Sequence, residues 1–145
     1  MKNLILSASL VLGIGFVSAQ KITEAEVPAP VKTAFAKTYP AITKVQWDKE
    51  DGHYEAQFLL TRVQTTVAYD AGGTIVQTES GIALTELPKE TTAYLAKNLA
   101  GKKVEFPTKI TTAAGVISYE AVVSGFLYAF DSKGLFVKKS KDLLH

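Results

Sequence analysis

The sequence of 145 residues contains no cysteine, and this absence excludes several kinds of chemistry. Without a thiol the chain can form no disulfide, no thiolate nucleophile, no cysteine-ligated zinc or iron–sulfur site and no lipidated N-terminal cysteine. An excess of charge is also lacking, because 16 basic residues are balanced by 14 acidic ones, for a formal net charge of +2. A nearly neutral chain gives no electrostatic reason to expect binding to nucleic acid or to anionic membranes.

The N-terminal segment has the pattern of a secretory signal peptide. Lys2 is followed by a mainly apolar run over residues 4–17, and small residues precede a cleavage point between Ala19 and Gln20. One cation, a short apolar run and small residues before the cut are typical of such peptides. A transmembrane helix needs roughly 20 apolar residues, so we expect no stable membrane anchor after cleavage. The sequence therefore predicts a signal peptide over residues 1–19 and an exported protein, periplasmic or extracellular.

Four short motifs occur twice, in the same order, in the rest of the chain. The matching pairs are Val27-Pro28 with Leu87-Pro88, Phe35-Ala36-Lys37 with Leu95-Ala96-Lys97, Tyr54-Glu55-Ala56 with Tyr119-Glu120-Ala121, and the segment 69–73 with 130–134. Changes in loop length explain the small differences in spacing between the pairs. Four matches in one order are not expected by chance. We therefore predict one domain over residues 20–145, made of two related repeats over about 27–81 and 82–145.

Each predicted repeat begins with a helix. Pro28 and Pro88 suit the first helical turn, where the missing N–H has no partner in any case. Apolar residues at intervals of three and four, such as Val31 and Phe35, give the first helix one apolar stripe. Tyr39 precedes a proline, and a residue in that position avoids the helical region. The first helix is therefore expected to end there and to bury one face against a sheet.

The remainder of each repeat alternates between apolar and polar residues. The segments 53–60 and 63–69 alternate in this way, which predicts strands with one buried face. The pairs Asp70 with Gly73 and Asp131 with Gly134 fit type I turns between strands. Strands joined by short turns form antiparallel sheets. The predicted fold class is α+β, with two tandem repeats of one helix and a four-stranded antiparallel β-meander, the helices packed on one face of a curved sheet.

These motifs resemble a known family. A helix ending at Tyr39-Pro40, then Val45-Gln46-Trp47, Tyr54-Glu55-Ala56 and an Asp-x-x-Gly turn resemble the PepSY-like, β-lactamase-inhibitor-like exported proteins of Bacteroidetes, over residues 27–138. The resemblance implies tandem repeats in a periplasmic or cell-surface protein, and it implies no catalytic residue. The second repeat departs from the pattern, since it has neither a tryptophan corresponding to Trp47 nor a Tyr-Pro helix end.

The residues present suggest no catalytic or metal-binding set. The histidines are His53, which follows a turn, and His145 at the C-terminus, and no serine lies in a Gly-x-Ser-x-Gly sequence. The acidic segment 48–52 lacks the glycine spacing and the flanking helices of a calcium-binding EF-hand. Glu55 and Glu120 fit as solvent-facing residues of alternating strands. We therefore expect no enzyme activity, no cofactor and no bound metal.

Aromatic residues are plentiful, with six Tyr, seven Phe and one Trp. Trp47, Tyr119 and Tyr128 are predicted to lie on the exposed face of the sheet, where rigid rings anchor partners at low entropic cost. The leading hypothesis is an exported, non-enzymatic binding module that docks an unknown protein partner of the cell envelope, such as a hydrolase that it inhibits or regulates. The alternative is an envelope protein that senses a small ligand or a metal in a groove between the two repeats.

We expect the exported protein to begin at Gln20, because the small residues before it match the cleavage preference of signal peptidases. Intact-mass measurement of the protein purified from the cell envelope should give the mass of residues 20–145. A mass that still includes Lys2 would contradict this prediction.

Overall fold

The computed structural model describes residues 19–141, so almost all of the predicted signal peptide (residues 1–19) lies outside the described range. The chain divides into two compact units between Thr78 and Glu79. Each unit has one α-helix, and strands contain most of the regular structure. The predicted combination of two helices with antiparallel strands is confirmed.

The first unit places its α-helix before a series of strands. Its elements are β1 (Gln20–Ile22), a 3₁₀ turn (Glu24–Glu26), α1 (Ala29–Thr38), β2 (Gln46–Glu50), β3 (His53–Leu60), β4 (Val63–Tyr69) and β5 (Ile75–Gly81), which crosses the boundary between the units. Antiparallel hydrogen bonding joins β1 to β2, β2 to β3 and β3 to β4. The sequence patterns do not predict β1, because three residues are too few to show an alternating pattern.

Helix α1 begins and ends where the prolines require. Pro28 is its N-cap residue, and the backbone N–H of the C-cap residue Tyr39 donates to the carbonyl oxygen of Phe35 at 2.8 Å. The predicted end before Pro40 is confirmed, since proline disfavours helical geometry in the residue that precedes it. Val31 and Phe35, one turn apart, are the buried residues of α1. The helix therefore packs on the sheet through one narrow stripe.

The core of the first unit lies between α1 and one side of its strands. Its buried residues come from both layers and are Val27, Val31, Phe35, Trp47, Ala56, Phe58, Val67 and Tyr69. The ring of Phe35 lies 5.4 Å from that of Trp47 and 5.2 Å from that of Phe58, both in edge-on geometry. Such aromatic contacts add to the stabilisation from burial alone. Phe35 therefore joins the helix to two strands.

The second unit has the same sequence of elements after β5. They are a 3₁₀ turn (Leu84–Glu86), α2 (Lys89–Asn98), β6 (Val104–Thr112), β7 (Ile117–Val123), β8 (Phe126–Phe130) and β9 (Phe136–Lys141). β6 pairs with β7, β7 with β8 and β8 with β9, all antiparallel. The buried core residues beneath α2 are Leu87, Leu95, Val123, Tyr128 and Phe130. Aliphatic Leu95 thus takes the place that Phe35 has in the first unit.

Strand β6 contains an irregularity that β2 does not have. The pairing of β6 with β7 shifts between Glu105 and Thr108, so that Phe106 and Pro107 together stand opposite Ala121. In the first unit a single residue, Trp47, stands opposite Ala56. An extra residue in one strand is a β-bulge, and it redirects the side chains at that point.

The predicted Asp-x-x-Gly turns are present in both units and also contact the helices. In the second unit the Gly134 N–H donates to the carbonyl oxygen of Asp131 at 2.9 Å, and the Asp131 Oδ1 accepts the N–H groups of Lys133 and Leu135. The hydroxyl of Thr91 on α2 donates to the carbonyl oxygen of Gly134 at 3.0 Å. The segment 131–134 is therefore hydrogen-bonded to the first turn of α2.

Gly134 is expected to be irreplaceable for two separate reasons. Its φ is +81°, and a Cβ at this position would lie 2.8 Å from the Thr91 Oγ1 and 2.5 Å from the Pro88 Cβ. Gly115 has a similar φ of +78°, but a Cβ added there would have nothing within 4 Å. Substitution of Gly115 by alanine therefore measures the cost of a positive φ without the cost of a steric clash.

We expect Gly115→Ala to lower the free energy of unfolding by about 1 kcal/mol and Gly134→Ala to lower it by about 3 kcal/mol, because only the second also creates a steric clash. Urea unfolding of the two variants measures the difference. Equal losses would contradict the expected steric cost of a Cβ at position 134.

Candidate functional site

The aromatic residues predicted as partner anchors do not form an exposed cluster. Trp47 is 3% exposed and lies beneath α1, and Tyr128 is 5% exposed and lies in the core beneath α2. Tyr119 is half-buried and packs against that same second core. The prediction that these rings lie on the exposed sheet face is therefore wrong for Trp47 and Tyr128.

Strand pairing explains this difference. Trp47 stands opposite Ala56 and Tyr128 opposite Ala121, and all four residues are buried. Residues paired across an antiparallel sheet share one side of it. That side is the one covered by the helix in each unit, so the two rings form part of the core and have no surface to offer a partner.

The residues that alternate with the core lie on the side of the sheet away from α1. We call this surface the open face of the first unit, and its members are Gln46, Asp48, Glu55, Gln57, Leu59, Gln64 and Thr66. Most of these side chains are polar and uncharged, with two carboxylates among them. Leu59 is 60% exposed and is the large apolar residue of this group. The open face of the first unit therefore combines hydrogen-bonding groups with one apolar contact point.

Asp48 is held in place at the centre of this surface. It is only 3% exposed, and its Oδ2 accepts hydrogen bonds from the Gln57 Nε2 at 2.7 Å and the Gln46 Nε2 at 3.1 Å. Its Oδ1 is buried and has no hydrogen-bond partner among the described residues. A buried polar atom without a partner is costly, so this oxygen has unused capacity to accept a hydrogen bond.

The negative charge of Asp48 also influences the neighbouring end of β2. The pKa of Glu50 is raised above its ordinary value, first by burial and then by the charges of Asp51 and Asp48. Glu50 is paired across the strands with His53, which is half-buried. This end of the sheet is therefore a place where added negative charge is unfavourable.

Asp48 and its two hydrogen-bond partners, Gln46 and Gln57, form what we call the Asp48 cluster. A groove of about 500 Å³ lies beside it. It is lined by the loop of residues 41–44 and by side chains of the open face, among them Gln46, Gln57, Leu59 and Gln64. Amide side chains both donate and accept hydrogen bonds, so they can pair with backbone or polar groups of a ligand. The groove can therefore hold a polar chain segment next to an apolar contact at Leu59.

The side of the second unit's strands away from α2 has a different character and is largely buried. On the side away from α2 lie Ile110, Ser118, Glu120, Val122, Leu127, Ala129 and Lys138. Glu120 is only 8% exposed, so the expectation of a solvent-facing residue is wrong. Burial raises the pKa of Glu120 to about 7, and the positive charge of Lys138 partly offsets this effect. Glu120 lies on the predicted side of its strand, but the apolar residues around it shield its carboxyl group from water.

The described residues contain no obvious set for metal binding. Over residues 19–141, no group of three or more His, Asp or Glu side chains is placed to hold an ion. In the same range, no helix has the length and hydrophobicity to cross a bilayer.

Solved structures of Bacteroides proteins share this fold. A protein from Bacteroides eggerthii described as periplasmic matches with a TM-score of 0.71 and 20% identity, over 79% of this chain and 88% of its own. A DUF2874 family protein from Bacteroides ovatus matches with a TM-score of 0.68 and 21% identity, over 81% and 93%. A BLIP-like protein from Bacteroides fragilis matches with a TM-score of 0.60 and 19% identity, over 79% and 86%. The chain has the BLIP-like fold.

Sequence comparison adds no closer relationship. No family model matches the chain, and no curated protein is detectably similar to it. At 19–21% identity, the structural matches establish the fold and leave function to be argued from the site.

We expect the free energy of unfolding to fall as the pH rises from about 4.5 to about 7, by on the order of 3 kcal/mol. The folded protein keeps the proton on Glu120 up to about pH 7, whereas the unfolded chain releases it near 4.5. Outside this window both states carry the same charge on Glu120. Urea unfolding across this pH range measures the effect.

Glu120→Gln should remove this loss of stability, because glutamine does not titrate. Glu90→Gln, at an exposed position on α2, is the matched control and should keep it. If the free energy of unfolding of Glu120→Gln depended on pH as that of the wild type does, Glu120 would not be the group responsible.

Proposed function

We propose that this chain is an exported, non-enzymatic binding module that docks a protein partner of the cell envelope through the open face of its first unit. The partner is a hydrolase that the module regulates. The Bacteroides eggerthii structure, described as periplasmic, and the BLIP-like structure from Bacteroides fragilis support the location and the type of function. The N-terminal residues 1–19, with cleavage after Ala19, supply the export signal in this proposal.

The Asp48 cluster is the observation that carries the proposal. Its buried carboxylate holds the side chains of Gln46 and Gln57, which line the groove, so these two side chains lose little conformational entropy when a partner binds. The adjacent groove and the exposed Leu59 provide an apolar contact beside these polar groups. A small apolar centre with oriented hydrogen-bonding groups around it is the usual arrangement of a protein interface.

The proposal includes two tandem repeats of the PepSY-like type, over residues 27–81 and 82–145. In each unit a 3₁₀ turn and an α-helix precede four strands, and an Asp-x-x-Gly turn precedes the last of them. Both turn glycines have a positive φ and approach the first turn of the helix in their own unit. The common arrangement supports duplication of one ancestral unit.

A second candidate function is binding of a small ligand, including a metal ion, by an envelope sensor. The groove of about 500 Å³ in the first unit favours it, because this volume lies in the range of small-molecule sites. A ligand that binds only the folded state raises the melting temperature. Thermal-shift measurements with metal ions and metabolites therefore separate this function from partner docking.

Affinity capture from envelope extracts tests the partner proposal. We expect the wild-type protein to retain one specific partner, and Leu59→Asp to weaken that binding by about tenfold or more, since it places a charge at the apolar contact. Thr33→Asp, on the exposed surface of α1, is the control and should bind as the wild type does. Equal retention by Leu59→Asp, or no specific retention by the wild type, would reject the proposed face.

A further inference from the structure

The cores of the two units differ in the side chains that pack beneath the helix. In the first unit Trp47 fills the space between α1 and the strands, with its ring 5.4 Å from that of Phe35. The second unit has Leu95 at the place of Phe35, and it has no tryptophan. Leucine is smaller than either aromatic residue, so the corresponding space beneath α2 is not filled in the same way.

The bulge in β6 removes the one aromatic ring that could take this place. Phe106 and Pro107 together stand opposite Ala121, where Trp47 alone stands opposite Ala56. Phe106 has a φ of +49° and is 66% exposed. A positive φ is unfavourable for a bulky residue, and an exposed phenyl ring forgoes the free energy of burial. The bulge thus leaves the Phe106 ring in solvent, and it does not contribute to the core beneath α2.

A groove of about 240 Å³ lies beside α2 in the second unit. Its apolar lining comes from α2, the turn before it and the start of β6, and includes Leu84, Leu87, Leu95, Ala96, Leu99 and Val104. Leu87 and Leu95 correspond to Val27 and Phe35, which pack with Trp47 in the core of the first unit. The groove is therefore lined by counterparts of the residues that surround an indole ring in the first unit.

We propose that this groove binds a small aromatic molecule of one or two fused rings, such as an indole. The lining is mainly aliphatic, with Thr92 and Lys102 as its polar members, and an apolar ring is the group that the corresponding residues enclose in the first unit. The volume of about 240 Å³ lies below the range of about 300–1,000 Å³ that drug-sized ligands occupy, so it suits a single small ring system. The groove lies on the helix side of the sheet, so this site does not depend on the proposed partner-binding face.

Titration of the full-length mature protein with indole tests the site. We expect indole to shift the methyl NMR signals of Leu87, Leu95 and Leu99 while leaving those of Leu59 and Leu60 in place. Shifts spread evenly over all leucines, or no shifts at all, would overturn the proposal. Methyl signals are used because Trp47 would dominate the fluorescence of the protein.

A pair of matched variants decides whether the groove is the binding site. Ala96→Trp places an indole in the groove and should weaken binding of free indole by about tenfold or more. Ala36→Trp makes the same change at the corresponding exposed position of α1, where Trp47 already fills the core, and should leave the affinity unchanged. Equal affinities of the two variants for indole would overturn the proposal.

Phe106→Ala excludes stacking on the exposed phenyl ring. Because Phe106 lies outside the groove lining, we expect this variant to bind indole as tightly as the wild type does. Loss of binding in Phe106→Ala would mean that indole stacks on Phe106, and it would overturn the assignment to the groove.

Discussion

The contact between a single helix and one side of the strands determines the rest of this structure. Phe35 of α1 lies within 5.5 Å, ring to ring, of Tyr39, Trp47 and Phe58, so the helix is joined to two strands through one residue. Once that side is covered, strand alternation assigns every second residue to the other side. The open face, with Asp48 at its centre, is the direct result of where Phe35 packs.

Both units bury one face of their helix against their strands, but they do so with different side chains. The first uses a cluster of aromatic rings beneath the helix and leaves a polar surface on the other side. The second packs leucines and a valine with Tyr128 and Phe130 beneath α2, and the side away from α2 is apolar around the buried Glu120. A shared arrangement of elements has therefore produced two units that differ on the side away from the helix, which is polar and partly exposed in the first and mainly apolar and largely buried in the second.

Local patterns in the sequence predict the parts of the fold that depend on neighbouring residues. The end of α1 before Pro40, the alternating strands and the Asp-x-x-Gly turns follow from backbone geometry, and they are present. Alternation assigns a residue to one side of the sheet, but not to a depth, because depth depends on side chains from other strands. For this reason the burial of Glu120 was not predictable, whereas Trp47 lies on the helix side because it pairs with Ala56 of another strand. The bulge at Phe106 is a property of pairing between two strands, and neither strand alone reveals it.

The hydrogen bond between Thr91 and Gly134 joins residues 43 positions apart. A contact between residues so far apart forms only after the chain between them has been ordered, and the loss of chain entropy comes before the gain from the contact. The packing of the first turn of α2 is therefore completed late, by a residue near the end of the unit. A unit that depends on such non-local contacts is expected to fold more slowly than a helical bundle of the same size.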